Sequence, residues 1–261
     1  MRIFITLTLG ISVLAGLIDR VFLEPTDQEV VDGLYLFVAL TPAVIAIIVQ
    51  RGVLRRRFRK GEFAIVPRRL LYYGLALMLF PILRLAAFRF GELFSNQYVL
   101  DPAAAFDLET AFGAVFYTLY LMGEEIGWRT FLQPNISPGR PLVAAVATGV
   151  VWGVWHFPSI LWSGFYNSHE EILLFYVGML IPLSVIHGFL RQKTGSVWGA
   201  AVAHTSYNVV AYTVVLVSPF VEWVYYSLIV VIAAGILLRK KLLSEEDFMG
   251  SQSPLPSARV A

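Results

Sequence analysis

The chain has 261 residues, 57% of them hydrophobic and only 15% charged, with a mean hydropathy of +0.70. Soluble domains carry about 25% charged residues, so the composition excludes an ordinary soluble domain and points to an integral membrane protein. Cysteine is absent, which excludes disulfides, thiolate metal sites and a cysteine nucleophile. A net charge of +2 gives no support to a nucleic-acid role.

A helix needs about 20 apolar residues to cross the hydrocarbon core. About eight stretches qualify, near 3–18, 31–50, 70–90, 110–133, 141–162, 172–190, 195–217 and 220–238. They predict an all-α, polytopic transmembrane helix bundle. It divides into N-terminal helices (1–109), a central core (110–217), a last helix (218–243) and a disordered Pro/Ser-rich tail (244–261). The first stretch, MRIFITLTLGISVLAG, has two readings. It is a membrane span or, given its basic start and Val13-x-Ala15 pair, a cleaved signal peptide; the uncleaved helix is favoured.

The second stretch runs into a basic segment, 51–69, with Arg51, Arg55, Arg56, Arg57, Arg59, Lys60, Arg68 and Arg69. Basic loops stay cytoplasmic. Alternation from there places both termini in the cytoplasm, along with Arg140, Arg191, Lys193 and Arg239. The third stretch carries Arg84 and Arg89 beyond Pro81. Arg89 can reach the outer interface, whereas Arg84 needs a carboxylate or a carbonyl as partner.

The fourth stretch contains LMGEEIGWRTFLQP, residues 121–134. A charge at the bilayer centre costs about 2.5–3.5 kcal/mol, so three together call for a purpose. Glu125 and Arg129 are four apart and share a helix face. Glu124 is turned about 100° from Glu125. One carboxylate can then be neutralised while the other serves as a general base; a purely structural ion pair fits equally well.

In the fifth stretch, His156 follows Trp152 by one turn in VWGVWHFPSI. A lone histidine among aromatics reads first as packing. His169, in an outer loop, and His187, near the inner end of the sixth stretch, read as interfacial. In the seventh, His204 and Asn208 are four apart among small residues. They can serve helix packing or supply two donors to an oxyanion. By helical rise, Glu124 and His204 each lie about 14 Å from the inner end of their spans, and His156 about 8 Å further out. His156 joins them only if its helix tilts or starts below the hydrocarbon.

Three motifs in this order on successive membrane helices, Glu124-Glu125-Ile-Gly-Trp-Arg129, Trp152-Gly-Val-Trp-His156 and His204-Thr-Ser-Tyr-Asn208, resemble the CPBP family. These are the CAAX proteases and bacteriocin-processing enzymes, also called the Abi family. The continuation Arg129-Thr-Phe131-Leu-x-Pro134 is similar to the bacterial members, and the resemblance covers about residues 110–217. Trp152 stands where the family often has Phe, a change expected to be absorbed by packing.

The resemblance implies an intramembrane endopeptidase of the glutamate type that requires no cofactor. Glu124, helped by His156, would activate a water, and His204 and Asn208 would stabilise the oxyanion. Glu125 and Arg129 would hold the motif helix, and Arg129 would also help position substrate. The partners implied are the lipid bilayer and a peptide or protein substrate delivered to a site opening on the cytoplasmic side. Two other readings stand beside it. Two histidines and a glutamate make a plausible zinc set, although no His-Glu-x-x-His helix is present. A polar cluster in a membrane also suits a transporter or a silent scaffold.

Overall fold

The computed structural model describes residues 1–23, 28–66, 69–94, 108–163, 178–213 and 219–239, and all regular structure among them is helical. The long helices are α1 (Arg2–Phe22), α2 (Gln28–Ile48), α3 (Leu70–Glu92), α4 (Leu108–Glu125), α5 (Pro141–Ser163), α6 (Gly178–Thr194), α7 (Val197–Thr213) and α8 (Pro219–Leu238). These eight coincide with the eight apolar stretches. Two of them change geometry at their ends: α2 continues as a π-helical turn, Val49–Val53, and α4 as another, Ile126–Leu132. His169 and the 244–261 tail lie outside the described residues.

Among the described residues, five helical segments are long and apolar enough to cross a membrane: Arg2–Phe22, Gly33–Val53, Leu70–Glu92, Pro141–Pro158 and Phe220–Leu238. Of the other three, α6 and α7 are enclosed by neighbours, whereas α4 also turns Val115, Phe116 and Leu119 outward. As described, α6 and α7 have 17 residues each, and α4 carries Glu109, Glu124 and Glu125. Helix α6 packs on α3, α5, α7 and α8, and α7 packs on α3, α4 and α6. Large exposed apolar side chains crowd the outer helices, with Leu14 on α1, Phe37 on α2, Ile82 on α3 and Val231 on α8. A helix surrounded by protein need not match the lipid, so it can carry polar groups. Gly195 makes the tight α6–α7 turn with φ at 69°, a conformation that costs glycine little.

Close approach is set by small residues. A Cβ on Gly149 of α5 would lie 2.7 Å from the Ile181 Cα on α6. A Cβ on Gly127, in the π turn after α4, would lie 2.3 Å from the Pro42 Cβ and 2.7 Å from its carbonyl carbon. The π turn therefore rests directly on the α2 backbone.

Arg84 finds its carboxylate in Glu222 on α8, through two parallel bonds of 2.7 Å, with the Tyr225 ring 4.8 Å from the guanidinium. Arg89 pairs with Glu92 in an exposed position, as expected of an interfacial residue. Helix α1 is built into the core: Phe4 is fully buried, edge-on to Trp128 at 5.8 Å and against Phe131 at 4.9 Å. Ser12 of α1 donates to the Trp155 carbonyl on α5. The basic segment is fastened beneath α6. Arg69 donates to the carbonyls of Gln192 and Lys193, among the last orphan acceptors of that helix. Arg191 bridges Glu62 (3.2 Å) and Thr130 (3.3 Å). Arg55, Arg56 and Arg57 stay exposed.

Gly127→Ala is expected to lower stability by about 1–3 kcal/mol through overpacking, read as a lower melting temperature in detergent. An unchanged melting temperature would show that α2 and the π turn are not in rigid contact.

Candidate active site

Glu125 sits at the end of α4, fully buried. Its Oε1 accepts from Arg129 Nη1 at 3.0 Å and lies 2.9 Å from His204 Nδ1 on α7. His187 Nδ1 on α6 is 3.7 Å from the same oxygen. One carboxylate oxygen thus joins α4, the π turn and α7, with α6 alongside. The i, i+4 pairing of Glu125 with Arg129 is formed as the spacing predicts. Removing one member of a buried pair costs about 3–5 kcal/mol, so these contacts hold the inner helices in register.

Glu124 makes a separate connection. Its Oε2 accepts from the Trp152 indole Nε1 on α5 at 2.8 Å, and the residue is 4% exposed. The two adjacent carboxylates are therefore divided between different helices. Arg129 lies over the Trp152 ring, its guanidinium carbon 4.1 Å from the centroid. Around the same ring stand His204 at 5.2 Å, His156 at 5.5 Å and His187 at 5.8 Å, centroid to centroid. His156 Nδ1 lies 3.1 Å from the Trp152 carbonyl one turn back, and its ring packs edge-on to Trp155 at 4.6 Å.

Glu124, Glu125, Arg129, His156 and His204 are thus brought together around one indole. The difference in depth estimated for His156 is bridged by Trp152. That residue is one turn, about 6 Å, nearer the start of α5 and supplies the group that meets Glu124. Asn208 is placed differently from expectation. Its Nδ2 donates to the Tyr117 hydroxyl on α4 at 3.0 Å, while His204 is engaged by Glu125, so the two do not share a partner.

Two readings from sequence need correction. His187 is not interfacial: it is fully buried, 5.2 Å from the His204 ring and edge-on to Phe80 at 6.1 Å. Its ring nitrogens, Glu125 Oε2 and Arg129 Nε and Nη2 are buried without hydrogen-bond partners, a rare state for polar atoms. Trp152 does more than pack, because a phenylalanine there would have no N–H for Glu124. A histidine in the middle of an apolar run, VIHGFL, was the available signal for the first. No spacing rule signals the second.

Among the described residues, Glu125, His187 and His204 could share a metal, since their ligand atoms lie within 4.8 Å of one another. Arg129 Nη1 already engages Glu125 Oε1 at 3.0 Å, while Oε2 of the same carboxylate has no partner. A divalent cation would face that fixed positive charge at short range, and the donor set fits a metal poorly.

Residues 105–210 match the family model described as Rce1-like, type II CAAX prenyl endopeptidase. The matched stretch holds all three motifs and most of the contacts just described, while α1, α2, α3 and α8 lie outside it. No curated protein matches the chain. The ordered motifs, the apolar helices and the family match agree: the chain is a membrane protein in which residues 105–210 are similar to the Rce1-like, type II CAAX prenyl endopeptidase family.

Proposed function

We propose that the protein is an intramembrane endopeptidase in which Glu124 is the general base. The observation that carries this reading is the division of the two carboxylates. Arg129 and His204 engage Glu125, whereas Glu124 is held by a single neutral donor. In the proposed reaction Glu124, with His156 alongside, takes a proton from water as the water oxygen bonds to the scissile carbonyl carbon. The carbonyl oxygen becomes an oxyanion. Collapse re-forms the carbonyl, breaks the C–N bond and sends the proton from Glu124 to the leaving amine.

His204 and Asn208 are assigned to the oxyanion, with one chemical requirement. His204 Nδ1 faces Glu125, so Nε2 donates only when the ring carries both protons. Arg129 and Glu125 hold the motif helix, and Arg129 helps position substrate. The substrate is a peptide segment within or at the membrane. The exposed arginines 55–57 mark the cytoplasmic face, and substrate enters from that side. The chain is assigned eight spans with both termini in the cytoplasm.

A second reading, a metal at Glu125, His187 and His204, is favoured by their mutual approach and disfavoured by Arg129. The glutamate reading predicts that 1,10-phenanthroline leaves proteolysis unchanged. Inhibition reversed by added zinc would select the metal.

The decisive test of the main reading compares peptide termini in membranes carrying wild type or Glu124→Gln at matched abundance. New termini are expected with wild type alone, reduced at least about 10²-fold in the variant, in line with loss of a general base. Equal termini with both proteins would refute the assignment. Orientation is checked separately, because the chain has no native cysteine. With an impermeant maleimide on intact cells, Leu93→Cys is expected to label and Arg57→Cys only after permeabilisation. The reverse pattern would invert the topology.

A further inference from the structure

Trp152 is 1% exposed, yet the one polar atom of its side chain is committed to Glu124. An indole Nε1 can only donate, so the direction of that bond is fixed: tryptophan gives and the carboxylate accepts. The ring itself is held on several sides. Arg129 lies over it, His204 meets it edge-on with an interplanar angle of 85°, and His156 meets it at 67°. A ring so confined cannot turn, and Oε2 of Glu124 is confined with it.

We propose that Trp152 is a positioning residue for Glu124. Its N–H occupies Oε2 and fixes the carboxylate plane, which leaves Oε1 as the oxygen that receives the proton from water. This rests on the reading of Glu124 as the base and adds to it a second-helix origin for its orientation. The motif helix α4 supplies the carboxylate, α5 supplies the donor that aims it, and His156 follows one turn later on the same helix. Tryptophan thereby couples the orientation of the base to the position of the histidine beside it. Packing alone would not need the nitrogen. Trp128 and Trp155, also buried in this region, leave Nε1 without a partner.

The test follows how fast Glu124-dependent termini accumulate in membranes, per unit of folded protein. Four proteins are compared with wild type: Glu124→Gln, Trp152→Phe, Trp128→Phe, and a protein in which the benzothienyl isostere of tryptophan replaces Trp152. The isostere keeps ring size and stacking and lacks the N–H. Trp128→Phe gives the cost of losing an indole whose nitrogen is unpartnered. A hydrogen bond to a charged group corresponds to about 10- to 100-fold in rate. Trp152→Phe and the isostere are both expected to slow accumulation by that factor beyond Trp128→Phe. A wild-type rate with the isostere would overturn the proposal, because shape alone would then suffice, and it does so even if Trp152→Phe fails to fold. If Glu124→Gln abolishes the termini while both Trp152 replacements match Trp128→Phe, the positioning role falls and the base stands. If Glu124→Gln retains the termini, both fall.

Discussion

Charge in a low-dielectric interior is tolerated only where it is answered, and the fold is organised around answering Glu125. Its Oε1 takes Arg129 from the following π turn and His204 from α7. Arg129 is not dispensable, because a buried carboxylate stripped of its counter-charge is far more costly than an apolar residue in its place. The other inner contacts take their positions from this one: His187 alongside, Arg129 over the Trp152 ring, and Trp152 reaching Glu124. The π geometry belongs to the same arrangement. Widened turns of this kind are rare and often occur at functional sites, and here one directly follows the two glutamates and carries the arginine.

The bundle separates two demands that one helix could not meet together. Outer helices such as α1 and α8 turn large apolar side chains outward, as contact with lipid requires. Helices α6 and α7 are enclosed by neighbours, and there His187, His204, Ser184 and Thr205 are buried. The outer set shields the inner from lipid, and small residues let the two approach closely. The Arg84–Glu222 pair shows the same economy outside the site. A bidentate bond ties α3 to α8, and Tyr225 covers the guanidinium.

Much of this was legible in the sequence because the membrane makes polar residues conspicuous. Eight apolar stretches announced eight helices, and Glu124, Glu125, Arg129, His204 and Asn208 stood out against alanine, valine and leucine. What escaped had no such contrast or no defining distance. Trp152 reads as packing because tryptophan is mostly apolar surface, and only a structure shows where its single N–H points. His187 stands four residues before Arg191, a spacing that suits an interfacial anchor as well as a buried site residue. The depth of His156 was judged as if it had to touch Glu124 itself; an indole one turn earlier spans the interval. Asn208 was paired with His204 by register alone, and register does not say that Tyr117 stands within reach of the amide.

The seating of Phe4 between Trp128 and Phe131 has a consequence for how the protein is made. Helix α1 is synthesised before α4 and α5, but the rings that receive it belong to the π turn after α4, and the carbonyl that takes the Ser12 proton belongs to α5. During the interval α1 resides in the bilayer with α2 beside it but without these partners. Its composition suits the wait: its charges, Arg2, Asp19 and Arg20, stand near its ends, and the Thr8 hydroxyl donates to the Phe4 carbonyl within the same helix. Ser12 must await a later helix for its acceptor. Contacts this distant in sequence form late, so α1 enters the membrane well before it is locked in place. Its docking then reports that the helices bearing the two glutamates and Trp152 have already assembled.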